Sequence, residues 1–166
     1  MGTRSLVAGL GLLMLLVPVW GARSEVTLQF VEPQRYTDGG DGGYGAERGT
    51  LRNLERHLKA LGARCLPQGE TLELRILDVD LAGHHEWWRS GGYDIRVMRD
   101  ITWPRIELEY VWRDRDGQLL GQARERVSDM NYLWRSPYVR YDSEPLPYEK
   151  AMLRDWFERR FCRGRG

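Results

Sequence analysis

Two aspartates and two histidines between positions 78 and 85 are of the residue types that hold divalent metals. Asp78 and Asp80 are separated by one residue, so in a strand their side chains share a face, and His84 and His85 follow within a turn. Carboxylates and imidazoles at a strand end suit zinc and related ions, which gives a metal-binding protein or metal-assisted hydrolase as one hypothesis. Because the spacing matches no strong metal motif, we expect instead that the aspartates cap backbone amides and that the histidines are solvated loop residues.

A second polar pair, Asp129 and Asn131, directly follows the last predicted strand. Side chains of these types can orient a ligand, but they more often hydrogen-bond the nearby backbone and redirect the chain. We therefore expect a structural turn here, with ligand binding as the alternative.

Six aromatic residues lie in predicted loops rather than strands: Trp87, Trp88, Tyr132, Trp134, Tyr138 and Tyr141. Exposed Trp and Tyr side chains stack on sugars or anchor protein partners. Beneath long loops, the same residue types pack into a small satellite core. The sequence leaves both alternatives open. The candidate binding surface consists of Trp87, Trp88, Asp129, Asn131 and Trp134.

No pattern in the chain predicts a catalytic residue or a cofactor. The glycine-rich segment 38–45 precedes a helix, where free N–H groups can bind anions, but it lacks the Gly-Lys-Ser/Thr ending of phosphate loops. It also lacks the ligand spacing of a calcium loop. The sequence contains no Gly-x-Ser-x-Gly motif, and neither cysteine has a histidine in an activating context.

Hydrophobic patterning predicts the elements that must position these residues, in the order β-α-β-β-β-α. The predicted strands are Val26–Phe30, Thr71–Val79, Ile106–Trp112 and Leu119–Val127, and the predicted helices are Ala46–Leu61 and Pro147–Phe161. A right-handed crossover makes the first two strands parallel, and two hairpin steps then make the remaining pairs antiparallel. We expect an α+β two-layer sandwich with a mixed, mostly antiparallel sheet and both helices on one face.

Two local irregularities are expected within this order. The apolar parity of the second strand shifts at Leu77, which indicates a bulge or a strand buried on both faces. The segment His84–Tyr93 is predicted as a loop, and Ile95–Met98 as a short extra strand.

The two cysteines, Cys65 and Cys162, are predicted to form a disulfide. If both helices run back in the same direction, their C-terminal ends lie at the same end of the domain. Side chains reaching across packed helices could then bring the two Cα atoms within disulfide range. The alternative is a pair of free, half-buried thiols.

The N-terminus has the pattern of a secretory signal peptide. Arg4 precedes an apolar run from Leu6 to Trp20, which is shorter than the about 20 residues of a spanning helix. Cleavage is expected after Gly21, or as late as Ser24. The resulting assignment is a signal peptide at 1–21 and a single domain at 22–166, without stable membrane insertion after cleavage.

Several separate blocks resemble one uncharacterised bacterial family, domain of unknown function 3016. The blocks are Leu77–Gly83, Asp94–Asp100, Trp103–Tyr110, Ser128–Leu133 and Tyr148–Phe157. The resemblance covers essentially the whole mature chain and implies a small exported bacterial protein. It implies no activity, cofactor or catalytic residue.

Charge and composition favour a binding role in the envelope. Without residues 1–21 the chain has 24 basic and 24 acidic residues, a balance that gives no general attraction to nucleic acid. We therefore expect a non-catalytic periplasmic binding or accessory protein of the cell envelope, with an envelope protein or a glycan as partner. The alternative is the metal-binding protein or metal-assisted hydrolase built on Asp78, Asp80, His84 and His85.

Overall fold

The computed structural model of the protein describes residues 24–38, 49–85, 96–135, 139 and 143–162. The predicted signal peptide, Trp87 and Trp88 lie outside these residues. The strands are β1 (Glu25–Phe30), β2 (Thr71–Asp80), β3 (His84–His85), β4 (Arg96–Val97), β5 (Arg105–Arg113) and β6 (Leu119–Ser128), and the helices are α1 (Thr50–Cys65) and α2 (Pro147–Phe161). Short 3-10 helices cover Pro33–Arg35 and Tyr132–Trp134.

The four long strands form one mixed sheet in the order β1-β2-β5-β6. β1 pairs with β2 in parallel, as the crossover through α1 requires, and the other two pairs are antiparallel. Both helices contact this sheet and each other on one face. The predicted α+β two-layer sandwich is therefore confirmed.

The main core lies between the sheet and the two helices. Alternate residues of β2 and β5 are buried, among them Leu72, Leu74, Ile106 and Leu108. α2 contributes a wide apolar face that ends in Phe161, whose ring meets the ring of Trp112 edge-to-face with centroids 5.3 Å apart. The alternation of period two on the strands and the wide helix face produce these two layers.

The end of α1 differs from the sequence prediction. The predicted helix ends at Leu61, directly before Gly62, but α1 continues to Cys65. Gly62 instead lies against β1, where an added Cβ would be only 2.0 Å from Cγ2 of Val26. This glycine therefore permits close helix–sheet approach rather than ending the helix.

The predicted disulfide is present. Cys65 ends α1 and Cys162 directly follows α2, and their Cα atoms lie 4.7 Å apart. The bond links positions 97 residues apart in the sequence and joins the two helix ends.

Among the described residues, no helix has both the length and the apolar composition needed to cross a membrane.

Candidate binding site at the strand ends

The described candidate residues gather around one end of the sheet, where β2 and β6 finish and β5 begins. We call this the strand-end region. It comprises the segments 31–38, 78–85, 96–105 and 128–135 and the first turn of α2.

Asp78, in the strand-end region, binds the segment that follows β1. Its two carboxylate oxygens accept hydrogen bonds from the backbone N–H of Thr37 at 2.7 Å and from the Thr37 hydroxyl at 2.9 Å. Beside it, β2 has the predicted bulge, with its register shift between Ile76 and Asp78. The carbonyl of Ile76 accepts a hydrogen bond from the hydroxyl of Tyr36 at 2.7 Å, and burial raises the pKa of Tyr36 to about 12.

The same segment is held further by Asp38. The backbone N–H of Asp38 donates to the carbonyl of Val79 at 2.7 Å, and its carboxylate accepts the N–H of Leu81 at 3.2 Å. That carboxylate also pairs with Arg96 at 2.9 Å. Residues 31–38 are thus fastened along the end of β2 and to the short strand β4.

Asp80 also has a partner of its own, because it forms an ion pair with Arg105 across the β2–β5 register. The guanidinium of Arg105 lies 5.5 Å from the ring centroid of Trp103. The two candidate aspartates therefore bind different groups, one a backbone segment and the other an arginine.

The two histidines are placed differently from the prediction of a loop. His84 and His85 form β3, which pairs antiparallel with β4 through His84↔Val97 and His85↔Arg96. The chain reaches this hairpin through Gly83 at φ +79°, where an added Cβ would lie 2.9 Å from the carbonyl oxygen of Val97. Backbone pairing and this close approach explain the strand.

Within the part of the chain that the structure describes, no three His, Cys, Asp or Glu side chains are grouped so that they could hold a metal ion. Asp78, Asp80, His84 and His85 are neighbours in sequence, but each described carboxylate of this set has the partner given above.

Asp129 and Asn131 form the turn that leaves β6. The backbone N–H of Asn131 donates to Asp129 at 3.1 Å, which is the local pattern expected of a structural turn. Arg135 adds a long-range contact, because it binds both Asp129 and, at 2.8 Å, Asp155 of α2. Sequence reasoning did not identify Arg135, since its two acidic partners lie 6 and 20 residues away.

The aromatic residues of the strand-end region separate into the two classes that the sequence left open. Tyr132 is fully buried and meets Tyr148 edge-to-face at 5.0 Å, in a satellite core completed by Ala82 and the partly buried Trp103. The hydroxyl of Tyr132 donates to the carbonyl of Arg99 at 2.6 Å. Here the satellite-core interpretation is correct.

Trp134 belongs to the other class, since 88% of its surface is exposed although it lies only two residues from Tyr132. Met130 and Ile101 of the same region are 67% and 70% exposed. All three exposed side chains belong to the strand-end region, and we refer to them together as its apolar surface. Trp87, Trp88, Tyr138 and Tyr141 lie outside the described residues.

Glu149 is a buried carboxylate that the sequence did not reveal. It lies in the first turn of α2, is 3% exposed, and accepts the backbone N–H of Ala82 at 2.7 Å. Burial raises the pKa of Glu149, the bond from Ala82 and the charge of Arg96 act in the opposite direction, and Asp38 adds to the increase. A glutamate after Pro147 is typical of any helix start, so its sequence context carried no sign of burial.

The model of a family described as protein of unknown function (DUF3016) matches residues 24–159. The chain belongs to this family. The match begins just before β1 and ends within the last turn of α2, so it includes both layers of this DUF3016 protein and its strand-end region. It confirms that the resemblance to this family is correct.

No curated protein matches this DUF3016 chain. A solved structure with some similarity is the 2.35 Å crystal structure of a minor lipoprotein from Acinetobacter baumannii. It shares 11% sequence identity, and the match covers 82% of this chain and 87% of that chain with a TM-score of 0.25. A similarity of this size carries no conclusion about fold or function.

Proposed function

We propose that this DUF3016 protein is a non-catalytic, exported binding protein that anchors an envelope protein on the apolar surface formed by Ile101, Met130 and Trp134. The observation that carries the proposal is Trp134, a large side chain held almost fully exposed on a turn that is itself firmly fastened. Tryptophan side chains in such positions are frequent energetic centres of protein interfaces.

The turn beneath Trp134 is fixed by three contacts that leave the indole free of the core. Tyr132 is buried and bonded to Arg99, and Arg135 is tied to Asp129 and Asp155. A backbone segment that is already rigid loses little conformational entropy when its exposed side chain binds a partner. This support distinguishes Trp134 from an exposed residue on a loose loop.

The neighbouring side chains favour a protein partner over a glycan. Met130 and Ile101 are apolar and exposed, and a thioether adapts readily to the shape of a protein surface. A sugar site would require polar groups directed at hydroxyls around the stacking ring. Asp129 is the carboxylate that the sequence offers for orienting a ligand, and in the structure it is bound to Arg135.

Export is supported by two features that are independent of this surface. The apolar run between Leu6 and Trp20 has the form of a signal peptide, and Cys65 is bonded to Cys162. Structural disulfides persist in oxidising compartments such as the periplasm. The proposed location is therefore the periplasm.

Site-specific photo-crosslinking in cells tests this function. A photoreactive phenylalanine analogue at position 134 should give one discrete adduct, whereas the same analogue at Arg52, exposed on α1, should not. Excess purified wild-type protein added to a periplasmic extract should compete the adduct away, and the Trp134→Ala protein should compete less well. Equal adducts at both positions, or equal competition by both proteins, would refute the proposal. An adduct to a glycan would show that the partner is a glycan rather than a protein.

A further inference from the structure

The outer side of β6 is an open sheet edge. β6 is the last strand in the order β1-β2-β5-β6, and within the described residues no other strand pairs with it beyond β5. It is 10 residues long, contains no proline, and pairs with β5 along nearly its whole length. Such an edge presents a row of backbone N–H and C=O groups that can pair with an added strand.

The charge along this edge is positive on the face away from the helices. Arg124 and Arg126 are both about two-thirds exposed, and both bind the same carboxylate, Glu107 of β5. These two hydrogen bonds hold the pKa of Glu107 below its usual range. Glu109 of β5 lies opposite Arg124 in the register but pairs with Arg75 of β2, so among the described residues Arg124 and Arg126 have only Glu107 between them and leave a net positive charge along β6.

On the opposite face, which packs against the helices, the charged side chain of β6 is Glu125, and it already has partners. Glu125 accepts the indole N–H of Trp156 at 2.8 Å and pairs with Arg160 at 2.8 Å. It therefore ties β6 to α2. The two faces of β6 therefore differ in charge, since the excess positive charge lies on the face away from the helices.

The helix-side face of β6 offers small residues next to aromatic rings. Gly121 and Ala123 lie opposite Trp112 and Tyr110 of β5. A Cβ placed at Gly121 would lie 3.8 Å from the ring of Tyr110 and 4.0 Å from that of Trp112. Apolar side chains of an added strand would therefore meet Gly121, Ala123 and the partly buried ring of Tyr110 on this face. Trp112, at 4% exposure, belongs to the core.

We propose that β6 receives an extended segment of a partner protein as a fifth strand, with acidic side chains at alternate positions opposite Arg124 and Arg126 and apolar side chains between them. The alternation follows from the period of two, which sends successive side chains of a strand to opposite faces. The proposal deepens and rests on the proposed function, because β6 leads directly into the turn that carries Trp134. The partner segment would thus continue toward the apolar surface at that end.

Charge selects this partner over a second copy of the same chain. Two β6 strands side by side would bring four arginines together, and the carboxylates that these arginines bind are the two copies of Glu107. Like charges on neighbouring strands are unfavourable, whereas opposite charges directly across a strand pair stabilise it. An acidic segment supplies the missing anions.

Peptide binding followed by nuclear magnetic resonance tests this inference. The probe is a blocked ten-residue peptide in which glutamate alternates with threonine and valine, and the comparison peptide has lysine in place of every glutamate. The glutamate peptide should bind about ten-fold more tightly at low salt, because each charge pair changes sign between the two peptides. Shift changes and slowed amide exchange should be concentrated in residues 119–128.

The variant Arg124→Glu/Arg126→Glu should reverse the preference between the two peptides. Arg124→Gln/Arg126→Gln should abolish the preference for the glutamate peptide, and because it leaves Glu107 without its two arginines, any remaining preference should favour the lysine peptide. This variant keeps the test valid if the charge reversal impairs folding. Arg52→Glu on α1 is the matched control and should leave the preference unchanged. Equal binding of both peptides, changes located away from β6, or a dimer protected along β6 would overturn the inference.

The two proposals can fail separately. A charge preference at β6 together with no specific adduct at position 134 would refute the proposed function alone. A specific, competed adduct at position 134 together with no peptide preference would refute strand addition alone.

Discussion

The two ends of the domain are held together by different chemistry. At the disulfide end, Cys65 is bonded to Cys162 and the rings of Trp112 and Phe161 pack closely. At the strand-end region, side-chain carboxylates fasten the loops, as Asp78 does for the segment 31–38. The carboxylates that the sequence offers as metal ligands therefore hold loops and side chains in place at one end. A covalent bond and apolar burial stabilise the opposite end.

The largest expected effect concerns the disulfide end. Replacing both Cys65 and Cys162 by serine should lower the free energy of unfolding by up to about 4–5 kcal/mol, the chain-entropy value for a loop of roughly 100 residues. Chemical denaturation of the wild-type and double-serine proteins measures this. Adding reductant should lower the wild-type midpoint and leave the double-serine midpoint unchanged. Two titratable thiols in the unfolded, unreduced wild type would contradict the bond.

The apolar core can be tested at Leu108, which is completely buried in β5. Leu108→Ala should destabilise the protein by about 2–5 kcal/mol, the range for emptying a packed leucine site. The matched control is Leu119→Ala at the exposed start of β6, for which we expect a change within about 0.5 kcal/mol. Similar midpoints for the two variants would show that the burial of Leu108 contributes little to stability.

In the strand-end region, Glu149 should make the stability of the protein depend on pH. Burial raises the folded-state pKa of Glu149 above its ordinary value of 4.5, so its contribution to stability is fully present below the unfolded pKa and is lost as pH rises through the folded value. Glu149→Gln keeps an acceptor for Ala82 but removes this titration. The stability of the variant relative to wild type should therefore increase as pH rises above 4.5. A pH-independent difference in urea denaturation would argue against a raised pKa.

The smallest effect is expected at Asp78. Asp78→Ala should leave the content of bound zinc and manganese unchanged in untagged protein and should cost about 1 kcal/mol through the lost bonds to Thr37. Asp116→Ala, on the exposed hairpin turn, is the control for removing one surface carboxylate. Elemental analysis and denaturation measure the two outcomes. Loss of stoichiometric metal on the Asp78 substitution would favour the metal-binding alternative.

The sequence predicted the layers because their signals are local and periodic. Alternation at Leu72, Leu74 and Ile76 marks the inner face of β2, and those residues are buried. The bulge was also foreseeable, because the apolar parity changes at the residue after Ile76. Short-range pattern was enough to assign these elements and their order.

The strand-end region was less predictable because its contacts join distant parts of the chain. Glu149 is bonded to Ala82, 67 residues away, and no local pattern records that pairing. Tyr132 and Trp134 are similar aromatic residues in one short segment, yet one is buried and the other exposed. The 3-10 turn explains the difference, since three residues per turn direct side chains two positions apart to different sides.

The Cys65–Cys162 bond also gives the molecule a covalent topology unlike that of a simple linear chain. The residues between the two cysteines form a closed ring, and β1 and most of α1 belong to a tail outside it. A protease cut at one site between Cys65 and Cys162 would leave a single covalent molecule that separates into two pieces only after reduction. A cut between β1 and α1 would instead make β1 a separate peptide, kept in place without a covalent link by its pairing with β2 and its packing against α1.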